Sequence, residues 1–415
     1  MTAADVDMPI TIARLTFRNP FMVGSGPTTK TVEQLVEADR CGWAAAAIKL
    51  TIDPPPYINR EPRYRWFAKR HLHMFTADRR LNLDEGLRLV EAARRKTQHL
   101  LLLANITYAG LDGLSGWARM ARRFVDAGAH AIELNLCCPN MSFNLDVGGK
   151  DPTGRPISGA SVGQDEQAVA DIVAATREAV DLPVIAKITP EGGRIGPVAR
   201  RAFQAGAHCV AGTANRLGVP DFDIRAPFKP VYRLQNTHSV SCLSGEWIKP
   251  LALRDVYEMR LACGPDAPLI GYGGVRTYTD AVQHAMLGAD LVGICTETMV
   301  NGFGFLPKLI GQLRNYMSDM GFDDFSSMKN LLVDRFATAD ELVLPPGHAS
   351  IDHIQCNACG RCLRIGHCHA IESGEGAKPS IRVLDCTACG TCVDICPTGA
   401  ITLVQISSGD DQPKT

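Results

Sequence analysis

The sequence predicts an α/β chain built as a closed (β/α)8 barrel, or TIM barrel, followed by a small C-terminal domain rich in cysteine. Short apolar runs alternate with longer helical patterns through roughly 300 residues, which is typical of βα units around a parallel sheet. The alternation repeats eight times, as a closed barrel requires. Eight of the fifteen cysteines lie between Cys356 and Cys396, near the end of the 415-residue chain. The cysteine-rich part therefore forms a separate domain.

Eight predicted strands account for the barrel. Taken in order, they are PFMVGSG (20–26), AAAAIKL (44–50), LLLLANI (100–106), AIELNLCC (131–138), PVIAKI (183–188), HCVAGTA (208–214), PLIGYGG (268–274) and LVGICTE (291–297). Each run is apolar or β-branched, and a longer stretch with helical periodicity follows it. An open doubly wound sheet has the same alternation, so periodicity alone leaves that fold as the alternative.

Polar or small residues stand at the ends of these runs, where the loops of a barrel carry its chemistry. They are Ser25, Lys49, Asn105, Asn135 with Cys138, Lys187, Asn215, Gly273 with Gly274, and Thr296. Taken singly, a lysine after a strand is usually a solvated loop residue, and an asparagine is usually a turn former. Their recurrence at most of the strand ends predicts one site at the barrel mouth.

The fourth run carries the most unusual side chains. Strand alternation places Glu133, Asn135 and Cys137 on one face, and a barrel-facing asparagine is costly without hydrogen-bond partners. We therefore expect Asn135 to meet a ligand or a polar network. Cys138 follows at the strand exit, where a thiol can hold or release a proton near neutral pH. The alternative fate of a free cysteine is a small buried hydrophobe, and we predict it for Cys209, Cys242 and Cys263.

Two cysteine motifs fill the C-terminal domain. The second, CTACGTCVDICPTGAI, has the spacing Cys-x2-Cys-x2-Cys-x3-Cys-Pro that bacterial ferredoxins use for 4Fe-4S clusters. In that arrangement the fourth cysteine of each motif crosses to the other cluster. The predicted ligand sets are Cys356, Cys359, Cys362 and Cys396 for one cluster, and Cys386, Cys389, Cys392 and Cys368 for the other. The domain is thus predicted to be a ferredoxin domain with two clusters.

The first motif, CNACGRCLRIGHCHAI, departs from this spacing. Five residues separate Cys362 from Cys368, and no proline follows. Either His367 or His369 is an alternative ligand in place of Cys368. Paired Cys-x2-Cys motifs also occur in zinc ribbons, which is the alternative interpretation of the whole domain.

Composition favours a soluble cytosolic protein that acts on small molecules. With 43 basic and 44 acidic residues the net charge is -1, which predicts no nucleic-acid or membrane partner. Asp5 and Asp7 occupy positions where a secretory signal would carry positive charge. Because the cytosol keeps thiols reduced, disulfides are not expected. The predicted boundaries are a barrel at 1–318, a linker at 319–346, the ferredoxin domain at 347–406 and a flexible tail at 407–415.

Several short motifs together carry a family resemblance. They are NPF (19–21), SGPTT (25–29), IKL (48–50), ELNLCCPN (133–140), VGQD (162–165), AKITP (186–190) and GYGGV (271–275). With the two-motif tail, the chain resembles the flavoprotein family of dihydropyrimidine dehydrogenase and class 1 dihydroorotate dehydrogenase. Its layout is most similar to the pyrimidine-binding subunit of the bacterial NAD-dependent dihydropyrimidine dehydrogenases, an FMN barrel with a ferredoxin domain.

The resemblance implies FMN at the barrel mouth and a set of residues that bind it. Those residues are Ser25, Thr28, Lys49, Lys187, Ser244, Gly245, Gly273, Gly274, Cys295 and Thr296. Lys49 and Lys187 would face the pyrimidine edge of the flavin and stabilise negative charge on the reduced ring. The pairs 244–245, 273–274 and 295–296 would hold the phosphate, through loops that bind phosphate in many barrels.

The resemblance also implies a reaction. Cys138 would exchange a proton with one substrate carbon while FMN exchanges hydride with its neighbour, so a C=C or CH-CH bond beside a carbonyl is reduced or oxidised. The implied substrate is dihydropyrimidine-like, of the uracil or thymine type, and Asn82, Asn135, Asn140, Thr213 and Asn215 would bind it. A dihydroorotate-type or other enone or amide reductase is one alternative, and a non-catalytic electron-transfer subunit is another.

Electrons are expected to come from another protein. No strand is followed by the G-x-G-x-x-G turn that would hold a dinucleotide, so we predict no nicotinamide site in this chain. The resemblance implies a separate NAD-dependent flavoprotein subunit or a ferredoxin as partner, and an oligomer. The long loop at 141–161 should lie near the substrate. The basic stretch at 59–73 is a solvated surface, a route for an anionic substrate or a docking site for an acidic partner.

Overall fold

The structure, a computed structural model, describes residues 8–55, 59–76, 79–139, 159–213, 215–374 and 378–406. The chain divides into two compact units, one ending at Phe336 and one beginning at Ala337. The predicted substrate residue Asn140, most of the loop at 141–161 and the tail at 407–415 lie outside the described residues.

The strands and helices follow in chain order. The strands are β1 (Ile10–Ile12), β2 (Leu15–Phe17), β3 (Phe21–Val23), β4 (Ala45–Ala47), β5 (Thr51–Asp53), β6 (Tyr64–Phe67), β7 (Leu72–Phe75), β8 (Leu101–Tyr108), β9 (Ala131–Leu136), β10 (Val184–Ile188), β11 (Cys209–Gly212), β12 (Arg216–Gly218), β13 (Ser241–Gly245), β14 (Leu269–Tyr272), β15 (Leu291–Ile294), β16 (Gly347–Ile351), β17 (Ile371–Ser373), β18 (Pro379–Ile381) and β19 (Ile401–Gln405). The helices are α1 (Val32–Arg40), α2 (Leu83–Lys96), α3 (Gly113–Asp126), α4 (Ala160–Gly163), α5 (Glu166–Ala179), α6 (Ile195–Gln204), α7 (Lys249–Cys263), α8 (Tyr278–Met286), α9 (Thr296–Asn301), α10 (Leu306–Met320) and α11 (Thr391–Ile395).

The parallel sheet closes into a barrel. Its strand order is β4, β3, β15, β14, β11, β10, β9 and β8, and β4 pairs again with β8. Ala45 therefore has Met22 as its partner on one side and Leu101 on the other. The eight predicted runs coincide with these eight strands, so the barrel is confirmed and the open sheet is wrong. β5 extends the sheet beside the end of β8.

The helices cover the outside of the barrel with apolar faces. In α3, for example, the buried residues include Trp117, Met120, Ala121 and Phe124, which recur at helical spacing. Polar residues fix where helices begin: the Thr31 side chain caps α1 and the Asn82 side chain caps α2, each in a capping box. Local sequence thus sets the helix ends, and the apolar stripe sets which face packs on the strands.

A four-stranded antiparallel sheet is built from loops that leave the C-terminal ends of the barrel strands. Its order is β12, β13, β7 and β6. β6 lies within the basic stretch at 59–73, and β7 begins in that stretch and ends just beyond it. The two strands pair as an antiparallel hairpin. Ser244 of β13 has His73 of β7 as its register partner. Through this sheet, Ser244 of β13 and Trp66 of β6 lie at the barrel mouth.

The first unit is longer than the sequence predicted. Phe325 and Met328, which fall in the predicted linker, are buried in the barrel core. Just beyond them, the backbone N-H groups of Asn330 and Leu332 donate to carbonyl oxygens at the end of α8. These contacts hold the segment on the barrel, so the unit extends to Phe336 instead of ending at residue 318.

The second unit has a small core of its own. β16 pairs with β19 and β17 pairs with β18, both antiparallel. Ala349 and Ile401 are buried together with the thiols of Cys362 and Cys392. The unit therefore folds around its cysteines rather than around an extended apolar layer.

Candidate active site

One cavity at the barrel mouth collects most of the predicted site residues. Those that line it are Ser25, Lys49, Asn135, Cys138, Lys187, Thr213, Asn215, Ser244, Gly245, Gly273, Gly274, Cys295 and Thr296. They come from the ends of barrel strands and from the antiparallel sheet above. The structure therefore brings these residues together around one cavity.

Two predicted residues are used elsewhere. The Thr28 hydroxyl hydrogen-bonds the Thr298 hydroxyl at 2.9 Å, and Thr28 does not line the cavity. The side-chain oxygen of Asn82 accepts the backbone N-H of Glu85 at 2.9 Å. Asn82 is thus a helix cap and does not line the cavity, and its substrate role stays a prediction. The sequence NLDE already contained the signal, since asparagine followed three residues later by glutamate is a capping box.

A buried polar network lies beneath the cavity and provides hydrogen-bond partners for Asn135. Asn135 Nδ2 donates to Asn105 Oδ1 at 3.0 Å, and Asn105 Nδ2 in turn donates to Glu133 Oε1. The Tyr272 hydroxyl donates to Glu133 Oε2 at 3.1 Å, and Lys187 Nζ lies 3.6 Å from Glu133 Oε1. Glu133 is fully buried, so these donors are what stabilises its charge.

Lys187 is kept charged inside the barrel. Burial alone would lower the pKa of Lys187, but the nearby Glu133 carboxylate opposes that effect, and the pKa is raised. Lys187 Nζ also lies 3.9 Å from the centre of the Tyr272 ring, a cation–π contact. The cavity floor therefore presents a fixed cation.

Tyr272 was not predicted to be a site residue, although it directly precedes the predicted pair Gly273 and Gly274. Its ring fits because strands on that side of the barrel carry glycine. A Cβ at Gly293 would lie 2.0 Å from Tyr272 Cε1, and a Cβ at Gly24 would lie 3.0 Å from the same atom. Burial and the Glu133 carboxylate raise the pKa of Tyr272 well above its ordinary value, so its hydroxyl stays a donor.

The two adjacent cysteines have different surroundings. Cys137 is buried, and burial raises its pKa to about 12, so it stays a thiol at neutral pH. Cys138 is half-buried and lines the cavity. Arg80 Nη2 donates to Cys138 Sγ at 3.7 Å. Of the cysteines predicted to be buried, Cys209 and Cys242 are, and Cys263 is half-buried.

The other end of the cavity has the form of an anion cradle. Gly245, Gly273 and Gly274 have φ of 108°, 109° and 76°, values that side chains rarely adopt. A Cβ at Gly274 would lie 2.6 Å from Lys249 Cβ. The Thr296 hydroxyl donates to Ser244 Oγ at 3.0 Å beside this backbone.

Three charged residues at this end of the cavity were not predicted from the sequence. Arg276, Glu246 and Glu297 all line the cavity. Arg276 Nη1 lies 2.6 Å from Glu246 Oε2, and Arg276 Nε lies 3.4 Å from Glu297 Oε2. The guanidinium holds both carboxylates, which limits their repulsion of an anion. No local motif marks such a trio, because its members follow three different strands, β13, β14 and β15.

The lining fits a flavin. Buried cationic and amide groups stand at one end, where a flavin carries its pyrimidine ring, and a glycine-rich backbone with two hydroxyls stands at the other, where its phosphate belongs. Side chains added at Gly245 or Gly274 would clash with backbone or neighbouring atoms, so only glycine allows the close backbone packing of this part of the wall.

Two cavities in the second unit are each lined by four cysteines. One has Cys356, Cys359, Cys362 and Cys396 in its wall. The other has Cys368, Cys386, Cys389 and Cys392, together with His367 and His369. His367 Nε2 lies 3.6 Å from Cys389 Sγ, and this hydrogen bond lowers the pKa of Cys389 to about 7. Among the described residues, no group of three or more His, Cys, Asp or Glu side chains is arranged to hold a single metal ion.

None of the described helices is both long enough and apolar enough to span a membrane.

Comparisons with known proteins agree with this architecture. The family model for dihydroorotate dehydrogenase matches residues 8–317, and the model for the 4Fe-4S binding domain matches residues 379–402. The NAD-dependent dihydropyrimidine dehydrogenase subunit PreA of Escherichia coli (strain K12) is 28% identical, over 96% of both chains. The chloroplastic dihydropyrimidine dehydrogenase (NADP(+)) of Arabidopsis thaliana is 25% identical, over 82% of this chain and 80% of its own.

A third relative comes from an archaeon. The catalytic subunit of dihydroorotate dehydrogenase B (NAD(+)) from Thermoplasma acidophilum is 32% identical, over 52% of this chain and 64% of its own. The family implies a flavin, and the second match places a 4Fe-4S binding motif around the last four cysteines. The barrel, its cavity and these matches lead to one conclusion: the chain belongs to the dihydroorotate dehydrogenase family, oxidoreductases that act on CH-CH groups, and carries a 4Fe-4S binding domain after its barrel.

Proposed function

We propose that the chain is an FMN- and iron–sulfur-dependent oxidoreductase that interconverts a CH-CH and a C=C bond beside a carbonyl in a dihydropyrimidine-like substrate of the uracil or thymine type. One observation carries this proposal. The half-buried thiol of Cys138 and the buried ammonium of Lys187 line the same cavity. A proton donor and a fixed cation are the two protein groups that such a reaction needs beside a flavin.

The flavin would be held along the whole cavity. Ser25, Lys49 and Lys187 would bind its ring, and Ser244, Gly245, Gly273, Gly274, Cys295 and Thr296 would bind its phosphate end. When bound, FMN supplies hydride transfer to or from the substrate carbon. Lys187 stabilises negative charge near the pyrimidine ring, because Glu133 keeps the ammonium protonated despite its burial.

Cys138 is the proposed proton donor and acceptor. Its thiol lines the cavity and is less buried than Cys137, whose raised pKa of about 12 keeps its proton in place. Asn135 and Asn215 also line the cavity and can each offer both a donor and an acceptor to the amide edge of a pyrimidine. Thr213 and Asn140 remain predicted substrate residues.

The second unit is proposed to hold two 4Fe-4S clusters. Cys356, Cys359, Cys362 and Cys396 would bind one, and Cys368, Cys386, Cys389 and Cys392 the other. Support comes from the two four-cysteine cavities and from the ferredoxin spacing. The clusters would pass single electrons between FMN and a separate NAD-dependent protein. PreA, which this chain resembles, is named as a subunit of an NAD-dependent enzyme.

A substrate screen tests the function. Anaerobically purified protein loaded with flavin and iron would be mixed with dihydrouracil, dihydrothymine or dihydroorotate and with a viologen dye as electron acceptor. We expect turnover of a dihydropyrimidine. Turnover of dihydroorotate alone would replace the proposed substrate with the dihydroorotate-type alternative. The absence of any turnover in fully loaded protein would favour a non-catalytic electron-transfer subunit.

A further inference from the structure

Arg80 is a buried arginine beside the thiol that the proposed function assigns to proton transfer. Its exposed fraction is 2%, and its Nη2 donates to Cys138 Sγ at 3.7 Å. Its Nε is buried and has no hydrogen-bond partner. Among the described residues, no carboxylate forms an ion pair with Arg80. Its half-buried neighbour Arg79 has two such pairs, with Glu61 at 3.7 Å and Glu85 at 2.7 Å.

The backbone holds Arg80 firmly in this place. The side chain of Asn59 accepts the backbone N-H of Arg80 at 2.7 Å and donates to its carbonyl oxygen at 3.0 Å. The next residue, Leu81, donates its N-H to the Leu50 carbonyl at 2.9 Å, and its carbonyl accepts the Ile52 N-H at 2.9 Å. The Arg80 backbone is therefore held both by Asn59 and by the start of β5, which follows the cavity residue Leu50.

A buried guanidinium without a carboxylate partner costs free energy. A negative charge that forms beside it during the reaction would offset that cost. The atom in contact with it is Cys138 Sγ, which becomes negative whenever it gives up its proton. A cation at this distance in a partly dehydrated site stabilises such a charge far more than one in water. The neighbouring thiol of Cys137 does not compete, because burial keeps it protonated.

We propose that Arg80 is a positioning residue for Cys138: its guanidinium holds the thiol at the cavity and stabilises the negative charge on Sγ. The inference rests on the proposed function. In the reducing direction the S–H bond breaks as a C–H bond forms on the substrate, and the electron pair of the S–H bond stays on sulfur. Bound FMN would supply the hydride that completes the reduction. The oxidising direction reverses each transfer.

Alkylation of Cys138 tests this without requiring turnover. The full-length, cofactor-loaded protein is treated anaerobically with iodoacetamide across a range of pH, and modification of the Cys138 peptide is followed by mass spectrometry. Because the thiolate is the reacting form, the rate reports its population. For Arg80→Gln we expect the profile to move to higher pH, with alkylation at neutral pH slowed by about tenfold. Arg80→Lys should restore most of the rate.

Arg79→Gln is the matched control. It removes the same charge one residue away, from a side chain that is already paired with two carboxylates, and it should leave the profile unchanged. Circular dichroism checks that the variants fold, and Arg80→Lys supplies the comparison if Arg80→Gln does not. An unchanged profile in folded Arg80→Gln overturns the inference. A higher KM for dihydroorotate with an unchanged profile would also overturn it, since Arg80 would then serve a substrate carboxylate.

The outcomes separate this inference from the proposed function. A shifted profile in a protein that turns over none of the candidate substrates would support the Arg80–Cys138 pairing and remove the proposed activity. Turnover that depends on Cys138, together with an unchanged profile in Arg80→Gln, would support the proposed activity and overturn the Arg80–Cys138 pairing.

Discussion

At the scale of single residues, the two neighbouring thiols that follow β9 differ in what they can do. Cys138→Ala should retain FMN, because the side chain faces the substrate side of the cavity in the proposed function. Its turnover should fall by about 10²- to 10⁴-fold, the usual loss on removing a positioned proton donor. Cys137→Ala should lose much less, since burial raises the pKa of Cys137 to about 12. Steady-state rates and flavin content measure both variants, and a reversed order would move the catalytic thiol to Cys137.

The pair formed by Glu133 and Lys187 makes a second prediction at this scale. Glu133→Gln leaves a buried ammonium without its carboxylate and should lower the free energy of unfolding by about 3–5 kcal/mol at pH 7. Glu258→Gln is the control. It breaks a surface pair with Arg254, 2.6 Å long and with the arginine side chain 65% exposed, and should cost less than about 1 kcal/mol. Denaturant unfolding followed by circular dichroism compares the two.

The pH dependence of that difference has a definite sign. Because folding raises the pKa of Lys187, its contribution is fully present below the unfolded lysine pKa of about 10.4 and is lost as pH rises through the higher folded value. In Glu133→Gln, burial without the carboxylate lowers the pKa of Lys187, so the variant gains stability as the pH rises toward about 10.4. The stability gap between the native protein and Glu133→Gln should therefore shrink as the pH rises above about 7 and continue to shrink above about pH 10. A gap that widens with rising pH would show that the ammonium is not what Glu133 stabilises.

At the scale of elements, the loop after β14 is shaped by glycine. Gly274→Ala would place a Cβ 2.6 Å from Lys249 Cβ at a φ of 76°, which should cost on the order of 1–3 kcal/mol and weaken flavin binding. Gly304→Ala is the control, because a Cβ there meets no atom within 4 Å. Fluorescence titration of the deflavinated variants with FMN measures the effect. Equal FMN affinity in the two variants would exclude this loop from the flavin site.

The elements also show how far sequence reasoning reached. The eight barrel strands were predictable because each is an apolar run whose period is visible within a few residues. The antiparallel sheet over the mouth was not, since β7 pairs with β13 from a distant part of the chain and neither run is distinctive. Arg80 and Arg276 were missed for the same reason, as only tertiary contacts bring them to the cavity. The helix cap formed by Asn82 was also predictable, because its own neighbours contain the capping signal.

At the scale of the whole molecule, the two units should carry different cofactors in one chain. Anaerobic analysis of fully loaded protein should give one flavin and about eight irons per chain, because two 4Fe-4S clusters are proposed. Replacing Cys389 by serine should remove about half of the iron and leave the flavin, since Cys389 lines only the cavity in the second unit that also includes Cys368. Zinc in place of iron, or an iron content well under eight, would contradict the two-cluster assignment.

Flavin reduction under anaerobic conditions tests the central claim most directly. The oxidised, fully loaded protein is mixed in separate experiments with a dihydropyrimidine and with NADH, and the flavin absorbance is followed. The account predicts bleaching by the dihydropyrimidine that is lost in Cys138→Ala, and no rapid bleaching by NADH, because the sequence has no dinucleotide-binding turn. Rapid, stoichiometric bleaching by NADH alone, with none by the dihydropyrimidine, would contradict it.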